Sequence, residues 1–437
     1  MSNWTRILTI GLFFFFLVSK SNVSSEGAES WKQFLGSDGS GVVSESVPTS
    51  WGIDSNRRWR TELPGKGWSS PVVSQGRVYL TSALPLEEGQ SDSQLSSDNS
   101  DQPKDQRFSL CMLIIDAASG ELKKTVRIME QNNERPVRMH AKNSHASPTP
   151  VIDGDRIFVH FGYQGTACLT LDGEVVWLNR SLYFPPTHGN GGSPVLEGGH
   201  LIFTCDGGKN PKVVALDAQT GNLVWEVFRE VDAKKTFSFC TPTVIEVDGQ
   251  RQVVAPGSDG VIALNPTSGD VFWDFRYTGY SVVPKPTWVA GQIIISTGFD
   301  NARMLAVDPK GRGLVTETNL IWEQDRNVPR TPSMIAKDGL LYSISDDGIA
   351  LCTDVESGEV LYRQRIGGKF SSSPILAGDY LYFTSEQGVT TVVRSGPNYE
   401  KVAENDLEER TLATPAVWKN QLLIRTDQAL YLIDESN

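Results

Sequence analysis

Apolar residues in this chain fall in short runs, four to six long, rich in Val, Ile, Leu and Tyr and broken by Gly- and Asp-containing turns. No 11-residue window carries the i, i+3, i+4 spacing of an amphipathic helix, so the pattern predicts short strands. One type of run recurs as RVYLTS, RIFVHFG, HLIFTC, QVVAPG, QIIIST, LLYSIS, YLYFTS and LLIRT. Another ends in an Asp- or Asn-led turn closed by Gly, over Ile114–Gly120, Ala215–Gly221, Ala263–Gly269 and Cys352–Gly358. Asp or Asn can bond its own backbone in such a turn, and Gly can take φ > 0. The run that follows carries an aromatic residue: Trp177, Trp225, Trp273, Trp322 or Tyr362.

A Ser/Thr/Lys-Pro step precedes each unit, at Ser70, Ser147, Ser193, Thr241, Lys285, Thr331, Ser373 and Thr414, with spacings of 77, 46, 48, 44, 46, 42 and 41. Four short antiparallel strands in about 45 residues make one propeller blade. The expected fold is all-β: an eight-bladed β-propeller of four-stranded antiparallel blades, with seven blades as the alternative count. Blade 7 is the least regular, with Tyr399 where the outer-strand Trp is expected. The chain stops just after a third strand, and the missing fourth stands at the front as Arg58–Leu63, with Trp59 in it. The N-terminal strand therefore closes the last blade and leaves no free sheet edge.

Composition agrees with a large core: 39% of the 437 residues are hydrophobic and 21% charged. Forty basic against 52 acidic residues give a net charge of −12, and no Lys/Arg run forms the basic face a nucleic-acid partner requires. The apolar run Ile7–Val18 follows Arg6 and is too short for a transmembrane helix, which needs about 20 residues. It reads as a secretory signal over residues 1–25, with a retained anchor as the alternative. Residues 26–56 form a lead-in and 57–437 the propeller; no transmembrane span is expected in the mature chain. The expected location is the periplasm or the cell exterior, and the expected state a monomer. Cys111, Cys168, Cys205, Cys240 and Cys352 are scattered, which excludes metal-finger and c-type haem motifs and suggests buried core thiols.

The strings ALDAQTGNLVW (Ala215–Trp225) and ALNPTSGDVFW (Ala263–Trp273) resemble the pyrroloquinoline-quinone (PQQ) type propeller repeat. The resemblance covers roughly residues 57–437, and Trp31–Trp51 is similar to the lead-in of exported bacterial members. It implies that Trp177, Trp225, Trp273 and Trp322 dock one blade on the next; Trp59 is counted with them as a structural residue. One branch of the class consists of quinoprotein dehydrogenases that bind PQQ and Ca²⁺, with adjacent cysteines against the quinone; this chain has no adjacent cysteines. Another is non-catalytic and binds proteins, the outer-membrane-assembly factor BamB among them. The resemblance therefore makes PQQ and calcium candidate cofactors without deciding between the branches. The leading expectation is an exported non-catalytic platform for an envelope protein or glycan. The alternative is a quinone- or metal-dependent oxidoreductase.

The candidate ligand-binding residues gather at the expected channel mouth. His140, Lys142, Asn143 and His145 precede blade 2, and His188 and Asn190 precede blade 3. Asp206 enters from the second-to-third strand turn of blade 3, and His140, His145, His188 and Asp206 are expected to line one pocket. Acidic residues recur in such turns (Asp206, Asp259, Asp300, Asp346, Asp347, Glu386, Asp427), either as a cation-attracting ring or as ordinary turn chemistry. An acidic, polar insertion over 84–107 is expected as a loop of blade 1 at the same face. His160 and His200 read as structural strand residues.

Overall fold

The computed structural model describes Met1 and residues 29–86, 107–131, 139–184 and 187–435. The leader expected over 1–25 lies outside the described residues apart from Met1, as does most of the insertion, 87–106. The strands form eight separate sheets, each an antiparallel up-and-down set of four, and two of the sheets gain a fifth, parallel strand. This is an eight-bladed propeller. In blade 3, for example, Val195–Glu197, His200–Cys205, Lys212–Asp217 and Leu223–Phe228 follow one another from the channel outward. Buried apolar side chains from facing blades form the core, as in the contact of Leu201, Phe203 and Leu216 with Phe158 and Trp177 of blade 2.

Blade 8 consists of Ala416–Trp418, Gln421–Arg425, Ala429–Ile433 and the N-terminal strand Arg57–Glu62. The closing pairs are Trp59 with Leu432, Arg60 with Tyr431, Thr61 with Leu430 and Glu62 with Ala429. The seam with blade 1 carries Arg425, whose buried guanidinium donates to the Ser69 carbonyl and hydroxyl and to the Thr81 carbonyl. Burial lowers its pKa to about 9.

The recurring Ser/Thr-Pro steps are inter-blade fasteners. The Ser70 amide donates to Thr149 Oγ1 at 3.0 Å, Thr149 to Ser193 Oγ at 2.9 Å, and Ser193 to Thr241 Oγ1 at 2.9 Å. The Lys285 amide donates to Ser333 Oγ at 3.0 Å, Ser333 to Ser373 Oγ at 2.9 Å, and Ser373 to Thr414 Oγ1 at 2.9 Å. In six blades the innermost backbone is thus held by a hydroxyl of the next. This corrects the repeat register in two blades. The equivalent positions are Thr149 rather than Ser147 in blade 2 and Ser333 rather than Thr331 in blade 6, because those hydroxyls, two residues on, complete the chain of bonds.

Lys285 is the one step without a hydroxyl, and its side chain has another role. Its Nζ reaches 2.8 Å to the Gly39 carbonyl of the lead-in. The lead-in, read from sequence only as a preceding segment, crosses the channel. Trp31 bridges Val73 of blade 1 in both directions, at 2.9 and 2.8 Å, and the Lys32 carbonyl accepts from Ile152 of blade 2 at 2.8 Å. Val42–Val43 then runs parallel to Ile375–Ala377, the inner strand of blade 7. Trp31 is 1% exposed and Leu35 2%, so these two side chains of the plug are packed as core.

The outer-strand tryptophans dock as the repeat implies, with one correction. The indole N–H groups of Trp59, Trp177, Trp225 and Trp322 donate to Ala117, Ala218, Pro266 and Val355, each the second residue of the next blade's Asp- or Asn-led turn. A side chain on the glycine closing that turn would strike the ring: a Cβ on Gly221 would lie 2.5 Å from Trp177. Gly is required there by both its φ of 73° and this approach. Trp273 instead donates to Gln252 of its own blade at 3.0 Å. Blade 5 lacks the short turn, and its longer connection adds Gly313–Leu314 as a parallel strand beside Trp273–Asp274, burying the indole completely. Tyr399 also departs from expectation. It precedes the outer strand Lys401–Asp406 and packs edge-on against Tyr362 at 5.8 Å.

Trp225 is 8% exposed and spans two blades, so Trp225→Ala is expected to cost roughly 3–5 kcal/mol in urea unfolding. A neutral result would show that the indole does not fasten blade 3 to blade 4.

Candidate functional site

The loops between blades and the second-to-third strand turns share one face, and a cavity of about 580 Å³ opens there above the lead-in. Phe34 of the plug contributes to its lining. The hydroxyl-bearing residues of the inter-blade chain, Ser70, Thr149, Ser193, Thr241, Ser333, Ser373 and Thr414, ring its interior, and aromatic side chains from the inter-blade loops form the wall toward the mouth.

His140, Lys142, Asn143 and His188 line this cavity. The two loops are zipped together: the His140 amide donates to the His188 carbonyl at 3.3 Å, and Asn143 Nδ2 donates to the same oxygen at 3.0 Å. His188 adopts φ 67°, a left-handed conformation uncommon for a residue with a side chain. The imidazoles of His140 and His188 stand edge to face at 5.4 Å. The contact continues from His188 to Phe237 at 5.4 Å and from Phe237 to Tyr280 at 5.5 Å, with Lys235 Nζ over the Tyr280 ring at 3.8 Å. An aromatic arc therefore spans the loops that enter blades 2 to 5. Phe237 and Tyr280 were not singled out from sequence. The signal was TFSFC, an apolar cluster in the connection before Thr241, homologous in position to the histidine loops.

The expectation of one shared pocket is corrected for His145 and Asp206. His145 turns inward, packs on Phe108 at 4.7 Å, and its Nδ1 lies 2.7 Å from Gln131 Nε2. It lines a separate small cleft with Asn190, which fills the space over Gly162. Asp206 is fully buried in a fork with Arg229, Nε to Oδ1 at 2.7 Å and Nη2 to Oδ2 at 3.2 Å. Arg229 also donates to the Ala255 and Pro256 carbonyls, so the pair ties blade 3 to blade 4. A carboxylate this deep in the fold takes its own blade's cation rather than the channel, because an uncompensated buried charge is costly.

Other acidic turn residues have local partners too. Asp346 accepts from the Arg330 amide and the Thr331 hydroxyl. Asp347 pairs with Lys369, Glu386 with Lys142 at 2.7 Å and the Ser371 hydroxyl at 2.6 Å, and Asp300 accepts from the Tyr280 hydroxyl at 2.7 Å. Asp259 accepts from the Gly279 amide at 2.9 Å. Among the described residues no group of three or more His, Cys, Asp or Glu is placed to hold a metal ion. The five cysteines are buried, unpaired, and spread over the blades, with burial raising every thiol. Among the described residues the donor set around the cavity does not fit a quinone–calcium centre, since Asp300, Asp346, Asp347 and Glu386 are committed to Lys, Arg or hydroxyl partners and no two thiols meet there.

Burial pushes the His145 pKa down to about 4 and that of His160, bonded to Thr166 and packed on Phe203, down to about 3. Both rings are neutral in the fold, whereas unfolded histidine takes up a proton near pH 6.5. The unfolded state binds more protons between these values. The stability is therefore fully present above about pH 6.5 and is lost as pH falls toward 4 and 3. For His145 the loss is on the order of 3 kcal/mol. Urea midpoints measured from pH 7 to 4 are expected to fall less steeply in His145→Gln; an unchanged slope would show that His145 is not the titrating group.

A family model described as outer membrane protein assembly factor BamB matches residues 109–279 and 300–434. The chain is 24% identical over 257 residues to outer membrane protein assembly factor BamB of Yersinia pestis, covering 53% of this chain and 58% of that one. It is also 24% identical over 301 residues to the BamB of Moranella endobia (strain PCIT), covering 63% and 71%. The aligned region thus spans little more than half the length of the first of these relatives. The fold is similar to that of the BamB crystal structure from Moraxella catarrhalis, with a TM-score of 0.57 at 14% identity over 86% of this chain and 98% of that one. It is also similar to that of a quinohemoprotein alcohol dehydrogenase from Comamonas testosteroni, with a TM-score of 0.65 at 12% identity over 93% and 81%. At such identities these two structures speak to fold alone. The family match, which covers most of the propeller, carries the assignment: the chain belongs to the outer membrane protein assembly factor BamB family of PQQ-like propellers.

Proposed function

We propose that this protein is an exported, non-catalytic propeller that holds a protein partner of the cell envelope against its channel mouth. The observation that carries the reading is the aromatic arc His140–His188–Phe237–Tyr280, flanked by charges already matched to local partners such as Lys142–Glu386 and Lys235–Asp300. Protein interfaces have this anatomy: aromatic anchors at the centre and a polar rim around them. Matched rim charges favour orientation over bulk attraction. Family membership supports the same reading, since its named members are assembly factors of the outer membrane. The basic start and short apolar run of the N-terminus support export, and no described helix is long and apolar enough to cross a membrane. The quinone-dependent alternative draws on likeness of fold alone.

A photo-crosslinking side chain at position 235, in cells that export the protein, is expected to give a discrete protein adduct. The adduct should disappear when Phe237→Ala and Tyr280→Ala are combined, and position 176 on the outer strand of blade 2 should give none. Adducts at 235 that persist in the double variant would remove the aromatic arc as the contact.

A further inference from the structure

Below the mouth, the channel itself has a chemistry that protein docking at the rim does not use. Thr149, Ser193, Thr241, Ser333, Ser373 and Thr414 each accept a backbone amide from the preceding blade. A hydroxyl that accepts one amide still has its own hydrogen to donate. These six side chains are buried at 5% exposure or less, all line the cavity, and make no donated hydrogen bond to a described residue. Ser70, in the same ring, lines the cavity and takes no part in that chain of bonds through its hydroxyl. The result is a ring of hydroxyls along the cavity lining, broken at the Lys285 position, each with a hydrogen left to donate. Next to it stand flat apolar surfaces, Phe34 and Phe239 with Phe237 above.

Among the described residues, the lysines at the ring have partners: Lys235 Nζ lies over the Tyr280 ring with Asp300 at 3.9 Å. Lys142 is held by Glu386, and Lys285 is turned to the Gly39 carbonyl, with burial lowering its pKa to about 8. Uncharged donors in a circle select acceptor oxygens disposed around the edge of a ligand, and aromatic faces select its C–H surfaces. A volume of about 580 Å³ lies within the range of small-molecule sites, roughly 300–1,000 Å³. The plug closes one end, so a ligand enters from the mouth. We infer that the channel cavity is a binding site for a neutral saccharide, taken as a free sugar or as the end of a glycan chain: ring and hydroxyl oxygens accept from the Ser/Thr circle, and a sugar face packs against the Phe237–Phe239 wall.

The test uses the full mature chain and a panel of neutral hexoses, N-acetylhexosamines and their disaccharides, read by saturation-transfer NMR. Glucuronate and benzoate serve as charged comparators. At least one neutral saccharide is expected to bind. Ser70→Ala and Phe237→Ala, neither of which breaks an inter-blade hydroxyl–amide bond, are expected to weaken it by about tenfold or more with an unchanged Tm. Thr241→Val tests the ring directly, with its Tm recorded because the Ser193 amide loses its acceptor. Absence of binding by every neutral saccharide would overturn the inference. So would binding left intact in both Ser70→Ala and Phe237→Ala, or binding by benzoate or glucuronate in place of the neutral sugars. None of these outcomes bears on the crosslinking at the rim, so the two readings fail separately.

Discussion

Five backbone pairs between Arg57–Glu62 and Ala429–Ile433 join the two ends of the chain into one sheet. A ring of blades has a long exposed edge wherever it is left open, and unpaired edge amides cost stability and invite association. The closing strand removes that edge, and much else depends on it. It sets Trp59 on the first turn of blade 1, where the indole donates to Ala117. It brings blade 8 against blade 1, so that Arg425 can satisfy carbonyls of Ser69 and Thr81 across the seam. It also fixes where the preceding residues go. The chain leaves the outer rim of blade 8, packs Trp51 on Tyr382 of blade 7 at 6.3 Å, and reaches the channel as the plug.

Within the closed ring, each recurring sequence position has a separate mechanical task. The Ser/Thr of the Pro step holds the neighbouring inner backbone near the axis. The Asp- or Asn-led turn and the Trp of the next-door outer strand hold the blades together at the rim. Asp116, Asp217 and Asp354 each accept from the turn they open, which lowers their pKa values and makes the turn a rigid seat for the indole. The core side chains fill the space between these inner and outer fasteners. A scaffold held at both radii leaves the inter-blade loops at the mouth available for binding chemistry.

Fold and blade count were legible in the sequence because they rest on local periodicities: strand alternation, turn residues and a repeat near 45 residues. The closure was legible from an orphan strand at each end. The site was legible only in part. The pairing of His140 with His188 followed from two loops entering successive inner strands. His145, five residues from His140, turned the other way because its ring fits against Phe108 and Gln131, contacts that no local pattern encodes. Asp206 looked like a mouth carboxylate until Arg229, 23 residues on, was placed beside it. The plug was not legible at all. Its one sequence trace is Lys285, the single Pro step lacking a hydroxyl, and its reason is a carbonyl 246 residues away.

Closure by the N-terminal strand, not the plug that precedes it, makes the ring a single cooperative unit. Thermal unfolding of two truncated proteins tests this directly, one starting after Val43 and one starting after Glu62. The first keeps the closing strand and is predicted to melt in one cooperative transition, at a lower Tm than the parent. The second is predicted to lose soluble, cooperatively folded protein. A protein starting after Glu62 that melts cooperatively within a few degrees of the one starting after Val43 would contradict the claim.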